Sequence, residues 1–138
     1  MPTDRVGATD MQDLPAPDVF SSACASRETL QHLTGRWGVL TLAALHLADD
    51  PMRFAEIRRR IDGISDRMLS QTLTQLERDG LVVRTVHSSI PPHVEYTLTD
   101  LGRRVTEPLL TLIGRVEAEL PEVLAAREAY DQRGDQAR

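Results

Sequence analysis

The chain predicts an α+β fold, mainly helical, and three observations predict it. Two short amphipathic segments, Arg53 to Arg60 and Ser65 to Arg78, are separated by little more than Asp62-Gly63-Ile64, the spacing of a helix-turn-helix. Two β-rich runs follow, 81–87 and 93–98, around a Pro91-Pro92 connection. An apolar stripe then runs through Leu101, Val105, Leu109, Leu112, Val116 and Leu120, longer than a small core can cover. Together they describe a winged helix-turn-helix with a two-stranded hairpin wing and additional N- and C-terminal helices, the last of them suited to dimerisation by its free apolar stripe. At 138 residues the chain suits one domain with a real core.

Residues 1–22 hold three Pro and four Asp with no periodicity, and are expected to form a disordered arm. The folded domain is expected over 23–126, with a frayed acidic tail at 127–138. Its first helix runs from about Ala25 to Leu33, with Leu30 and Leu33 on one side, and Gly35 interrupts it. A second, from Trp37 to Leu47, carries an apolar stripe of Trp37, Leu40, Thr41, Ala44 and Leu45 before Asp49-Asp50-Pro51 stops it. Trp37 reads as core or dimer-interface packing. Phe54, Ile57 and Ile61 recur at three and four residues and define the third helix.

The fourth helix has a sharp start and stop. Ser65 is the N-cap candidate, Asp66 suits the positive helix end, and Asp79-Gly80 supplies a terminator. Leu69, Leu73 and Leu76 share its inner face. In the hairpin, Val94, Tyr96 and Leu98 alternate along the second strand. Thr99 caps the last helix, Pro108 is expected to bend it, and Pro121 either ends the stripe or starts a further turn.

The outer side of the fourth helix carries Arg67, Gln71, Thr74 and Arg78, with no carboxylate at its centre. Arg can donate two hydrogen bonds to guanine and Gln can pair with adenine, so Arg67 and Gln71 are the base-reading candidates. Thr74 and Arg78 fit phosphate better. Ordinary solvent exposure explains the same face equally well. Ser65 fits a cap, a phosphate donor or both. Arg58, Arg59 and Arg60 fit phosphate contact, or a solvated face paired with Asp62 or Glu56. On the wing, Arg84, His87, Ser88, Ser89 and His93 are placed for sugar-phosphate or minor-groove contact, while a hairpin that merely covers the core fits as well.

The net charge of -5 argues against blanket binding to nucleic acid, but its distribution softens that objection. Residues 53–84 hold seven Arg against five carboxylates, whereas 117–138 hold three Arg against six. A local basic patch can bind DNA when the acids point elsewhere. The lone Cys24 excludes an intrachain disulfide. No apolar run is long enough to span a bilayer and no secretory signal is legible, so a cytoplasmic protein is expected. His32, His46, His87 and His93 read as scattered, and no Cys-x-x-Cys, His-Glu-x-x-His, phosphate loop or nucleophile elbow occurs. Neither enzyme activity, cofactor nor metal is expected.

Gly35-Arg36-Trp37, Phe54-Ala55-Glu56-Ile57, 63–69, 76–82 and Pro91 to Gly102, in this order and spacing, resemble the HxlR-type family of bacterial winged-helix transcriptional regulators. The resemblance covers roughly Cys24 to Leu120. It implies a homodimer, joined through the first and last helices, that binds double-stranded DNA at a pseudo-palindromic promoter element. It also implies that the helix of Arg67 and Gln71 is the recognition helix and Ser88 to Pro92 the wing. Some members of the family sense electrophiles or oxidants through a cysteine just before the first helix, where Cys24 lies. The family often has Pro after that cysteine, and this chain has Ala25. A sensing thiol and a small buried or interface residue both remain open for Cys24. A small-molecule effector between the long helices stays open too, as does the alternative of a protein-interaction or scaffolding module.

Overall fold

The computed structural model describes residues 16–136. The first fifteen residues of the expected arm and the last two of the expected tail lie outside the described residues. Residues 16–24 form turns, in which the Ser21 N–H donates to Asp18 O and the Cys24 N–H to Ser21 O, both at 3.1 Å. The elements that follow are α1 (Ala25–Thr34), α2 (Arg36–Leu47), β1 (Met52–Arg53), α3 (Phe54–Arg60), α4 (Asp66–Arg78), β2 (Val82–His87), β3 (His93–Leu98) and α5 (Asp100–Gln136).

One core serves all of them. Leu42, Ile57, Leu69, Leu76 and Leu81 have under 2% of their surface exposed, and they join α2, α3, α4 and the start of the hairpin in one cluster. Trp37, Phe54, Tyr96 and Val105 pack against its edge. The inner face of α4 is sealed by Leu69, Thr72, Leu73 and Leu76.

The turn before α4 places Gly63 at φ 87°, where an L side chain is strained, and seats Ile64 in the core. Ser65 caps α4 as expected, its Oγ accepting from the Met68 N–H at 3.1 Å. The stop at Asp79-Gly80 is a Schellman motif. With Gly80 at φ 77°, the Leu81 N–H reaches Leu76 O and the Gly80 N–H reaches Glu77 O, each at 3.0 Å. Thr99 then binds the next element to this corner. Its hydroxyl donates to Gly80 O at 2.6 Å and accepts from the Gly102 N–H at 2.9 Å, which is the expected cap of α5.

Two expectations change. The hairpin β2–β3 is present, with His87 opposite His93 and Val82 opposite Leu98, but the sheet has a third strand. Met52-Arg53 pairs antiparallel with Tyr96 and Glu95, giving the order β1-β3-β2. Two residues leave no periodic signal, so nothing in the local sequence announces this strand. The region expected as a frayed tail from 127 is helical as far as Gln136, and α5 passes through both Pro108 and Pro121. Each Pro removes one backbone donor, yet the surrounding Leu, Glu, Ala and Arg are strong helix formers. From Gly114 to Gln136 every residue of α5 is exposed.

Candidate nucleic-acid interface

The buried face of α4 determines what its other side shows. Arg67, Gln71, Thr74 and Arg78 are all exposed, at spacings of three and four residues that stack them along one side. The Thr74 hydroxyl donates to Ser70 O at 2.8 Å and keeps its lone pairs for an outside donor. Arg84 on β2 joins this surface, lining a shallow hollow with Phe54, Ser70, Thr74, Glu77 and Tyr96.

The three arginines of α3 do not act as one patch. Arg58 donates to Asp66 Oδ1 at 2.7 Å. The pairing read from the sequence was with Asp62 or Glu56, but Glu56 instead accepts from the Arg53 N–H at 3.2 Å. Arg59 is exposed and forms no ion pair among the described residues. Arg60 lies elsewhere, lining the groove between α2 and α5 with Leu40, Leu47, Leu110 and Glu117. That groove is about 390 Å³ and mostly apolar.

The wing residues also divide. Register puts Arg84 opposite Tyr96, and His87 opposite His93, so Arg84 and the histidines occupy opposite faces of the sheet. The histidines are not scattered. His87 Nε2 lies 3.0 Å from Glu95 Oε2 and His93 Nε2 lies 3.1 Å from Glu95 Oε1. Their rings stack with centroids 4.7 Å apart. Burial alone would raise the Glu95 carboxyl, but hydrogen bonding to His93 and His87 and the charge interaction with those rings outweigh it and hold it below its ordinary range. Glu95 was missed in the sequence. Its signal was the His93-x-Glu95 spacing, which puts both side chains on one strand face. Ser88 and Ser89 are exposed at the tip, with Ser89 Oγ donating to Pro91 O at 3.3 Å.

Cys24 is half-buried at the N-cap of α1. The Asp18 N–H donates to its Sγ at 3.3 Å and Ser26 Oγ lies 3.1 Å away. These hydrogen bonds, the backbone one from Asp18 first, lower the thiol pKa from its ordinary value.

A short helix pair that buries one side of α4, leaves its arginine-bearing side outward and sets a β-hairpin beside it defines a winged helix-turn-helix DNA-binding protein. The family model for the HxlR-like helix-turn-helix matches residues 32–123. The uncharacterized HTH-type transcriptional regulator YtfH of Escherichia coli (strain K12) is 47% identical over 117 residues, covering 85% of this chain and 91% of that one. The solved ytfH structure from Salmonella typhimurium superposes with a TM-score of 0.76 at 46% identity, covering 82% of this chain and 99% of that one. Diamide-treated YodB from B. subtilis superposes with a TM-score of 0.58 at 31% identity, covering 71% and 96%. The chain belongs to the HxlR-like helix-turn-helix family of transcriptional regulators, which are DNA-binding proteins rather than enzymes. Among the described residues no helix is long and apolar enough to cross a membrane.

Proposed function

We propose that the protein works as a homodimer that grips a pseudo-palindromic promoter site, with α4 of each subunit in a major groove. The observation that carries this reading is the outward side of α4, where Arg67 and Gln71 stand exposed with Thr74 and Arg78 while the opposite side is sealed in the core. Arg67 and Gln71 read base edges. Ser65, Thr74, Arg78, Arg59, Arg84 and the wing-tip Ser88 and Ser89 hold the sugar-phosphate backbone. Arg58 is occupied by Asp66, Arg60 faces the α2–α5 groove, and His87 and His93 are held on Glu95, so these four stay outside the contact set.

The second subunit covers the apolar residues that the monomer leaves in water. On α5 these are Leu101, Leu112, Val116, Leu120, Val123 and Leu124, each 40–55% exposed, and α1 adds Leu30 at 44%. A continuous apolar stripe on a soluble protein marks an interaction surface, and a two-fold pairing brings two copies of α4 to one duplex.

Titrating a footprint-selected duplex and a scrambled one at several salt concentrations tests this reading. Arg67→Ala is expected to lose about 1–3 kcal/mol of discrimination at one base pair. Arg59→Ala is expected to weaken both duplexes and reduce the salt slope by about 1. Equal weakening of both duplexes by Arg67→Ala would show that it reads no base.

A second reading, that oxidation of Cys24 alters DNA binding, is favoured by its lowered pKa and N-cap position and by the diamide treatment of the related YodB. With one cysteine per chain, a disulfide requires a second molecule. Diamide should change operator affinity in the wild type and leave Cys24→Ser unmoved; identical responses remove Cys24 from regulation.

A further inference from the structure

We propose that the wing carries a divalent-metal site in which His87 Nε2, His93 Nε2 and a Glu95 carboxylate oxygen bind one ion of the Zn²⁺ class. The hairpin register creates it. His87 and His93 face each other at the last pair of the ladder, Thr85 faces Glu95 two pairs back, and period two puts the three ligands on one face. Their donor atoms all lie within 4.8 Å of one another.

The distances suit a small ion. Zn–N and Zn–O bonds of about 2.0–2.2 Å place two ligands of a tetrahedral ion roughly 3.3 Å apart. Each Nε2 already stands 3.0–3.1 Å from a Glu95 oxygen. The rings stack with centroids 4.7 Å apart and 21° between their planes, and both nitrogens reach the same carboxylate. Arg53, opposite Glu95 on β1, makes no ion pair with it among the described residues, and both carboxylate oxygens stay with the imidazoles.

An outer partner is also in place. Ser89 Oγ lies 3.4 Å from His93 Nδ1 while donating to Pro91 O at 3.3 Å. A second interaction that fixes the ring nitrogen is the usual support of a metal-bound His. Two imidazoles and one carboxylate favour Zn²⁺ and its late first-row neighbours over Mg²⁺ or Ca²⁺. The side chains of His87, Glu95 and His93 are 41%, 25% and 21% exposed, which leaves an entry path and a fourth position for water. A bound ion would clip the two strands where the Ser88–Pro92 loop begins. This site stands on the hairpin geometry alone, whether or not the wing meets DNA.

The test titrates Zn²⁺ into the chelator-stripped full chain against a competing chromophoric chelator, while ring signals of all four histidines are followed by NMR. One ion per chain is expected, with the His87 and His93 signals shifting together and those of His32 and His46 still. His87→Gln and His93→Gln should each weaken binding by more than the roughly 10–100-fold that loss of an outer partner costs, and Cys24→Ser should not. Zn²⁺ affinity equal in the wild type and the His87→Gln/His93→Gln double variant would overturn the site. So would shifts confined to His32 or His46, a result read on the wild type and independent of whether any variant folds.

Discussion

Thr41 sits in the middle of α2 with none of its surface exposed, and its Oγ1 has no hydrogen-bond partner among the described residues. A buried hydroxyl without a partner costs roughly 1–3 kcal/mol of desolvation, and an apolar group of the same shape removes that cost. Thr41→Val is therefore expected to raise stability by about 1 kcal/mol, read as a higher urea midpoint at unchanged slope. A lower midpoint would show that the hydroxyl bonds within the native helix. Cys24 gives a second test at this scale. Hydrogen bonds from the Asp18 N–H and Ser26 lower its pKa, and the thiolate is the nucleophile. Its alkylation rate should climb at lower pH in the folded protein than in the urea-unfolded chain. Ser26→Ala should move the folded profile back upward; a profile identical to the unfolded one would show that the contacts do not act on sulfur.

At the scale of elements, α4 was legible because its ends are local chemistry. Ser65, Asp66 and the Asp79-Gly80 pair each do within a turn what their side chains and backbone freedom allow. The missing pieces are those that depend on a distant partner. The strand at Met52-Arg53 exists because β3 offers an edge, Arg58 turns to Asp66 across the helix-turn-helix, and the His87–Glu95–His93 cluster forms only once the hairpin is in register. Two glycines of α5 show how context decides a residue's worth. A Cβ on Gly102 would overlap Leu81 O, whereas one on Gly114 meets nothing within 4 Å. Gly102→Ala is expected to cost about 1–3 kcal/mol, the range for overpacking. Gly114→Ala should stabilise by up to about 1 kcal/mol through helix propensity. Thermal unfolding of the two variants checks both, and a Gly102→Ala protein as stable as the wild type would mean that α5 does not start against Leu81.

For the whole molecule, the net charge of -5 works against loose attraction to any duplex, and the proposed dimer answers it with two specific contacts made together. An uncovered apolar row on α5 would couple them. Beyond Ile113, α5 buries nothing of its own, yet it keeps Val116, Leu120, Val123 and Leu124 in a row with Leu112. If a second copy covers that row, Leu112→Glu with Val116→Glu removes four apolar side chains from the dimer. At about 1.5 kcal/mol each, the low end for a buried aliphatic side chain, the loss is some 6 kcal/mol, or a factor on the order of 10⁴ in the dimer dissociation constant. Neither residue belongs to the monomer core, so the variant should unfold at nearly the wild-type midpoint when both are measured as monomers. Sedimentation equilibrium is expected to give a single subunit mass where the wild type gives two. Binding to the paired half-sites should weaken sharply, while contact with one half-site stays near its wild-type strength. A double variant that still sediments as a dimer would place the seam on another surface, and the coupling of the two α4 helices would need a different hinge.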